Sequence, residues 1–208
     1  MDAPRLRVGV LASGAGTNLQ AILDNLHGRE AEVVAVGSDK PGAEALGRAV
    51  ALGIATREFP LADNADREAR DLAIAEWLVS HDVELVVLAG YMQLLSAAFL
   101  AAFPLRVINV HPALLPAFPG IGAVEQALEY GVKVFGVTVH FVDEGIDSGP
   151  IILQQAKELP EATEAAEVRD ALRPIEHELL TGAVRLIASG TVRPDPSHPR
   201  RVLVGGTP

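Results

Sequence analysis

Short aliphatic runs alternate with helical patterns along the first half of the chain, and this alternation restricts the fold more than any other feature. Such an order implies a parallel sheet with right-handed crossovers and helices on both faces. Ligands of such sheets bind at the carboxyl ends of the strands. The first half is therefore predicted to be Rossmann-like. Its predicted strands are residues 5–11, 32–37 and 85–89, and its predicted helices are residues 18–25, 44–52 and 65–80. The apolar stripe of the last helix is predicted to be Leu72, Ala75, Trp77, Leu78 and Val79.

The second half has a different pattern. Two predicted strands, 133–142 and 151–156, flank a loop that is too short for a helical crossover, so they are predicted to be antiparallel. Residues 164–188 show a helical pattern, in which Pro174 should kink or split the helix. Residues 191–208 are predicted to be a loosely held tail. The remaining predicted elements are a strand at 106–111, a Pro-rich stretch after it and a helix at 123–130. The long helix is expected to bury the stripe Val168, Leu172, Ile175 and Leu179.

The fold class that follows is α/β, with a mostly parallel twisted sheet and an antiparallel strand in its C-terminal half. At 208 residues, a single domain is expected. The formal net charge is −10, from 27 acidic and 17 basic side chains, which argues against nucleic acid and anionic membranes as principal partners. The absence of cysteine excludes disulfides and thiolate nucleophiles. With no signal peptide and no membrane span recognised, we expect a cytoplasmic protein, and a homodimer is left open.

A glycine-rich loop, Ser-Gly-Ala-Gly-Thr-Asn at residues 13–18, follows the first predicted strand and opens a helix. Gly14 and Gly16 permit a tight turn and close approach of a ligand, and the first amides of the helix can bind an anion. The loop is interpreted as a mononucleotide or sugar-phosphate site. The alternative is a turn in which Thr17 or Asn18 only caps the helix.

Two better-known phosphate loops fit this sequence less well. A Walker A loop would end in a lysine followed by serine or threonine, and residues 13–18 contain no lysine. A dinucleotide fingerprint would have its third glycine where Leu19 stands, although Asp39 after the second strand could bind a ribose.

Asn109 and His111 lie two residues apart in a predicted strand, so their side chains point to the same face. They are at its carboxyl end, and Pro112 restricts His111 to extended conformations. An amide donor beside an imidazole can stabilise an oxyanion while the histidine transfers a proton. The alternative is a polar pair that only ends the strand.

Asp147 belongs to the loop 143–150, whose glycines and proline allow the backbone to turn sharply towards the end of the sheet. A carboxylate near His111 would favour the imidazolium and make it a better proton donor. Asp147 could instead only stabilise the loop by an Asx-turn. His140 could join the site or simply pack there. A metal site of His111, His140 and Asp147 fits the spacing but lacks a compact histidine motif. Serine hydrolase chemistry is not indicated, because no serine has a nucleophile-elbow context.

Taken in order, four segments resemble the phosphoribosylglycinamide formyltransferase family, over about residues 5–189. They are the loop 13–18, Leu88-Ala-Gly-Tyr-Met92, Asn109-Val-His-Pro-Ala-Leu-Leu-Pro116 and His140-Phe-Val-Asp-Glu-Gly-Ile-Asp147. The resemblance implies transfer of a formyl group from 10-formyltetrahydrofolate, as cosubstrate, to the amine of glycinamide ribonucleotide in purine synthesis. It implies no covalent intermediate and no catalytic metal. Residues 1–100 would then form a phosphate-binding half and residues 101–190 a folate-binding and catalytic half.

The resemblance also implies roles for individual residues. Asn109 would bind the formyl oxygen, His111 would protonate or stabilise the tetrahedral oxyanion, and Asp147 would assist His111 and help to move the proton of the attacking amine. The ribonucleotide would be held by Gly16, Thr17, Asn18, Arg173 and Glu176. The folate pocket would be lined by Arg67, Met92, Gln93, Leu94, Leu95, Asn109, Asp143, Glu144, Gly145, Ile146 and Asp147.

The chain departs from the family pattern at three places. Gln93 stands where a basic residue is common, the segment after Pro119-Gly120 lacks a frequent histidine, and Pro174 interrupts the helix that carries Glu176. Formyltetrahydrofolate deformylase is the nearest alternative, but it normally carries an extra N-terminal domain. Methionyl-tRNA formyltransferase would bring a further C-terminal domain and a basic surface. An NAD-dependent oxidoreductase would leave the catalytic residues unexplained, and a non-catalytic binding module would not need His111.

Overall fold

The computed structural model describes residues 5–205, with Pro199 described by its backbone alone. The chain divides into two compact units, one up to Ile108 and the other from Asn109 onward. The strands are β1 (Leu6–Leu11), β2 (Ala31–Ser38), β3 (Ala55–Glu58), β4 (Leu85–Leu88), β5 (Val107–His111), β6 (Val134–Phe141), β7 (Ile151–Glu158), β8 (Val192–Asp195) and β9 (His198–Val204). The helices are α1 (Thr17–Asn25), α2 (Glu44–Val50), α3 (Arg67–Ser80), α4 (Ala97–Ala102), α5 (Ala123–Tyr130) and α6 (Ala165–Ala188), with a short 3-10 helix at Leu61–Asp63.

Seven of the described strands form one sheet in the order β3-β2-β1-β4-β5-β6-β7. In the first unit β1 pairs in parallel with β2 and β4, and β2 pairs in parallel with β3. Val8, Val10 and Leu11 of β1 are fully buried, as expected for the unbroken apolar run of a parallel strand covered on both faces. In the second unit β6 and β7 are antiparallel, as predicted. The predicted class, a mostly parallel α/β sheet with an antiparallel strand in the C-terminal half, is confirmed.

The prediction of a loose C-terminal tail is wrong for residues 192–204. Strands β8 and β9 form an antiparallel hairpin, with Val192 opposite Val204 and Asp195 opposite His198. The Asp195 carboxylate accepts hydrogen bonds from the amide and the hydroxyl of Ser197, which stabilises the turn. Prolines are tolerated in a two-stranded ribbon because each strand has an edge where no N–H is needed. Residues 206–208 of the predicted tail lie outside the described residues.

Helix α6 is a single 24-residue helix that contains Pro174, so the predicted split does not occur. A proline in a helix interior costs about 3 kcal/mol. The predicted stripe of four aliphatic side chains, Val168, Leu172, Ile175 and Leu179, is buried. Burial of each stabilises by about 1.5–3 kcal/mol, so the packing of this face outweighs the cost of the proline.

Helix α3 buries a different face from the predicted one. Leu72 and Val79 are 42% and 54% exposed, so the predicted stripe is wrong at these two positions. The buried residues are Arg70, Asp71, Ile74, Ala75 and Leu78. An ion pair thus occupies positions that hydrophobic periodicity alone cannot assign to the core.

Two short elements, β3 and α4, are absent from the predictions, because 4 and 6 residues are too few for a periodic pattern to be distinguished. Among the described residues, no helix combines the length and the apolarity that crossing a bilayer requires.

Candidate active site

The glycine-rich loop of the first unit joins β1 to α1. Gly16 is the residue before α1 and has φ 72°, a left-handed conformation that glycine adopts at little cost. Gly16 has no side chain that could cap the first turn of α1, and the capping role considered for Thr17 or Asn18 stays a prediction. Amides at such a helix start are suited to an anion.

Helix α2 holds the loop in place from the side. The Ala45 amide donates to the Gly14 carbonyl at 3.1 Å, and Arg48 Nε donates to the Ala15 carbonyl at 2.8 Å. A Cβ added at Gly16 would lie 2.7 Å from the Ala45 Cβ. The close packing against α2 therefore requires glycine at position 16, whereas a Cβ at Gly14 would meet nothing within 4 Å.

Ser13 connects this loop to the segment that follows β4. Its amide donates to the Gly90 carbonyl at 3.1 Å, and its hydroxyl accepts from the Met92 amide at 3.0 Å. The same hydroxyl donates to Asp39 Oδ1 at 2.5 Å. Asp39 is buried, so this carboxylate has a structural role in place of the ribose contact that a dinucleotide would need.

The predicted folate-binding residues of the first unit are Arg67 at the start of α3 and the segment from Met92 to Leu95. Met92 and Leu94 are 64% and 52% exposed. Apolar side chains that remain exposed on a fixed segment can bind an aromatic or aliphatic ligand.

A buried ion pair on α3 fixes the same segment. Arg70 donates from Nε and Nη2 to Asp71 Oδ1 at 3.1 and 2.8 Å, and from Nη1 to Gln93 Oε1 at 3.2 Å. Asp71 Oδ2 accepts from the Ser96 amide at 2.7 Å. Gln93 therefore has a hydrogen-bond partner within the protein.

Asn109 and His111 lie at the carboxyl end of β5, and His111 is buried. The Nε2 atom of His111 lies 2.8 Å from the Phe118 carbonyl oxygen, and its Nδ1 atom lies 3.3 Å from Asp147 Oδ2. A carbonyl and a carboxylate both only accept hydrogen bonds. Nε2 therefore donates to the Phe118 carbonyl, and Nδ1 faces the Asp147 carboxylate.

Asp147 is the centre of the polar cluster in the second unit. Oδ1 accepts from Asn109 Nδ2 at 3.3 Å and lies 3.5 Å from His140 Nε2, while Oδ2 accepts from the Gly120 amide at 2.7 Å. The backbone at Asp147 has φ 47°, a left-handed conformation that aspartate tolerates better than most residues. The loop 143–150 thus brings the carboxylate to both predicted catalytic side chains.

The surroundings of Asp147 keep it ionised. Burial raises the pKa of its carboxyl group, but the hydrogen bonds from His140 and the Gly120 amide and the charges of the two histidines lower that pKa from 3.8 to about 2. A carboxylate at neutral pH is therefore held against an imidazole and an amide donor. The cluster can accept a proton at Asp147 and stabilise negative charge near Asn109 and His111.

His140 belongs to the cluster, one of the two roles considered for it. Its Nδ1 donates to the Phe141 carbonyl at 2.8 Å. Its Nε2 faces Asp147 and lies 3.4 Å from Asn109 Nδ2. Within the described residues, no group of three or more His, Cys, Asp and Glu side chains has the arrangement of a metal site.

Two contacts of the cluster come from backbone atoms that side-chain motifs do not reveal. They are the Phe118 carbonyl and the Gly120 amide, and both residues have positive φ, at 52° and 85°. The dipeptide Pro119-Gly120 was the available sequence sign of a sharp turn here.

The predicted ribonucleotide residues of α6 are also in the second unit. Arg173 forms an exposed ion pair with Asp170, at 2.9 Å, one turn earlier in the helix. Glu176 is partly buried in the same helix.

The fold and this cluster agree with what sequence comparison finds. A family model described as formyl transferase matches residues 6–184, and the chain belongs to this formyl transferase family. The phosphoribosylglycinamide formyltransferase of Bacillus subtilis is 41% identical over 181 residues, which cover 86% of this chain and 93% of that protein.

Solved structures and longer proteins give a consistent result. The glycinamide ribonucleotide transformylase 1 of Symbiobacterium toebii matches with a TM-score of 0.92 and 46% identity, over 96% of this chain and 94% of that one. The trifunctional purine biosynthetic protein adenosine-3 of Chironomus tentans is 40% identical over 93% of this chain. The chain spans only 14% of the length of that relative.

Proposed function

We propose that this chain transfers the formyl group of 10-formyltetrahydrofolate to the amine of 5-phosphoribosylglycinamide, a step of purine biosynthesis in the cytoplasm. The names of the relatives that the chain matches over most of its length support this proposal. The observation that carries it is the contact of one ionised carboxylate, Asp147, with both Asn109 and His111. Formyl transfer to an amine needs these three functions, namely an amide donor, an acidic proton and an anionic proton acceptor.

The reaction makes one C–N bond and breaks another. The amine lone pair attacks the formyl carbon, and the carbonyl oxygen becomes an oxyanion. The C–N10 bond then breaks, N10 of the folate keeps the electron pair and gains a proton, and the attacking nitrogen loses one. Proton movement between two nitrogens therefore needs a group that accepts and a group that donates, and neither has to form a covalent bond with the substrate.

The cluster supplies these groups at defined atoms. Asn109 Nδ2 carries two hydrogens and donates one to Asp147 at 3.3 Å. The other would be donated to the formyl oxygen in place of the longer contact with His140 Nε2, at 3.4 Å. The Nε2 proton of His111 is committed to Phe118 at 2.8 Å, so the Nδ1 proton is the one to be shared with the oxyanion. Its contact to Asp147 is longer, at 3.3 Å.

Asp147 accepts the amine proton in this proposal. Because its carboxyl pKa lies at about 2, Asp147 is a weak base towards water at neutral pH. The tetrahedral intermediate carries a protonated amine, which is far more acidic than an ordinary ammonium group once the formyl carbon is bound. Asp147 therefore serves as a proton relay with His111 and as a fixed negative charge next to the imidazolium.

The parts of the substrates that do not react would be bound by residues outside the cluster. Gly16, Thr17 and Asn18 would bind the phosphate through the start of α1, with Arg173 and Glu176 assigned to the same ribonucleotide by resemblance. The exposed Met92 and Leu94 would contact the folate.

The deciding experiment is a spectroscopic assay of tetrahydrofolate release from 10-formyltetrahydrofolate, with and without 5-phosphoribosylglycinamide. We expect release only when the ribonucleotide is present, because its amine is the formyl acceptor. Equal release without it would replace the proposal by the deformylase. His111→Asn should lose turnover, whereas His81→Asn serves as the matched control and should keep it, because His81 follows α3 in the first unit and has no role in the proposed reaction. Unchanged turnover of His111→Asn would contradict the catalytic assignment.

A further inference from the structure

The C-terminal hairpin contacts the loop that carries Asp147. Arg200 of β9 donates from Nη2 to the backbone carbonyl of Ser148, the residue that follows Asp147. The hairpin begins at Val192, beyond the segment that matches the family model, which ends at residue 184. None of the roles assigned above involves this hairpin.

The Asp147 loop, defined as residues 143–150, is partly closed by its own hydrogen bonds. Asp143 Oδ1 accepts from the Gly145 amide at 3.1 Å and from the Ser148 hydroxyl at 2.6 Å. A Cβ at Gly149 would lie 1.9 Å from the Phe141 carbonyl oxygen, so the backbone passes tightly against the end of β6. These contacts set the shape of the loop.

The strained residue of this loop needs further support. Asp147 has φ 47°, and a non-glycine residue keeps such a conformation only when its surroundings over-determine it. On one side the Gly120 amide holds the carboxylate at 2.7 Å. On the other side Arg200 donates to the Ser148 carbonyl and so holds the peptide group between Ser148 and Gly149.

The hairpin is a suitable base for such a contact. Its strands are paired from Val192 and Val204 to Asp195 and His198, and β9 packs against β7 in the same unit. Arg200 therefore extends from an element with fixed backbone geometry. A charged donor to a carbonyl is also stronger than a neutral one.

We propose that Arg200 is a positioning residue that holds the Asp147 loop, through the Ser148 carbonyl, in the conformation that places the Asp147 carboxylate between Asn109 and His111. The contribution of Arg200 to turnover rests on the proposed function, because it acts through Asp147. The restraint of the loop by the hairpin does not depend on which reaction the protein catalyses. The two parts can therefore be tested separately.

The test compares Arg200→Met with Arg201→Met in the full-length chain. Arg201 is the matched control, because it is the next residue of the same strand and its side chain contacts the hairpin. Its Nε lies 3.7 Å from Asp195 Oδ2. Arg200→Met should lower kcat by about 10-fold, since small misplacement of a catalytic group has large effects on rate, and leave the KM for the ribonucleotide within about 2-fold. Arg200→Lys, which keeps one charged donor, should recover part of the lost kcat. Arg201→Met should behave as the unchanged protein.

Amide hydrogen exchange of residues 143–149 provides the second measurement. It should be faster in Arg200→Met than in Arg201→Met, while exchange in β1 and β4 stays the same. Equal exchange in the two variants would disprove the restraint. Faster exchange with unchanged kcat would disprove the positioning role. If the unchanged protein itself transferred no formyl group, the proposed function would fail, and the exchange data would still decide whether the hairpin restrains the loop.

Discussion

The glycine-rich loop of the first unit and the Asp147 cluster of the second are both polar sites, but the loop consists mainly of backbone groups and the cluster mainly of side chains. The loop has backbone amides, a left-handed glycine and close packing against α2. The cluster has a carboxylate, two histidines and an amide side chain, drawn from β5, β6 and the loop 143–150. The first can bind a charge without titrating, and the second is built around groups that exchange protons.

The difference separates two kinds of substitution. In the proposed mechanism, the cluster depends on the chemical identity of one atom, because a carboxylate oxygen accepts a proton and an amide nitrogen does not. In the loop, the proposed phosphate binding would depend on the space and the backbone conformation at Gly16. Binding and chemistry should therefore fail independently, and the following predictions test that separation.

The largest effect is expected for Asp147→Asn. Loss of the carboxylate removes the proton acceptor and the negative charge beside His111, while the size of the side chain is kept. The single-turnover rate of formyl transfer should fall by about 10²–10⁴-fold, whereas equilibrium binding of both substrates should change little. An unchanged rate of formyl transfer, or a loss confined to substrate binding, would contradict the assignment of chemistry to the cluster and of binding to the loop.

A smaller effect, on substrate binding and less on the chemical step, is expected for Gly16→Ala. The new Cβ would lie 2.7 Å from the Ala45 Cβ at a residue with φ 72°, so the start of α1 must move. The KM for the ribonucleotide should rise by about 10–100-fold, a loss of about 1.4–3 kcal/mol in binding, with a smaller change in kcat. Gly14→Ala is the matched control, since a Cβ there meets nothing within 4 Å, and its effect should be much smaller. Equal effects of the two substitutions would show that packing against α2 does not shape the loop.

The smallest effect concerns stability at acid pH. The pKa of Asp147 is lowered to about 2 in the folded protein, so its contribution to stability is present above the unfolded pKa near 3.8 and is lost as the pH falls through about 2. That contribution is about 2 kcal/mol. Urea unfolding should show the difference between the unchanged protein and Asp147→Asn shrinking by this amount from pH 5 to pH 2.

The same titration distinguishes the two regions. Gly16→Ala alters no titratable group, so its difference from the unchanged protein should keep one value over that pH range. A pH-independent difference for Asp147→Asn would mean that the carboxylate gains no stabilisation from its partners on folding.

Much of the fold and part of the site were accessible from local patterns. The alternation of strands and helices predicts the parallel sheet, and the short loop 143–150 predicts the antiparallel pair β6 and β7. Asn109 and His111 are found together because they are two residues apart in one strand. The loose tail and the face of α3 were predicted incorrectly, because pairing of β8 with β9 and burial of Arg70 with Asp71 depend on contacts between side chains and strands.

What the sequence determined by itself is most of the elements of the seven-stranded sheet, the glycine-rich turn before α1 and the identity of the proposed reactive groups. These follow from hydrophobic periodicity and residue chemistry, which act over a few positions. Only the tertiary structure decided that Asp147 contacts both histidines and the Gly120 amide, and that Arg200 reaches the Ser148 carbonyl. Apart from the contact with His140, which is near in sequence, these contacts join residues 27 to 52 positions apart, where the chain path, and no local preference, sets the distance between two atoms.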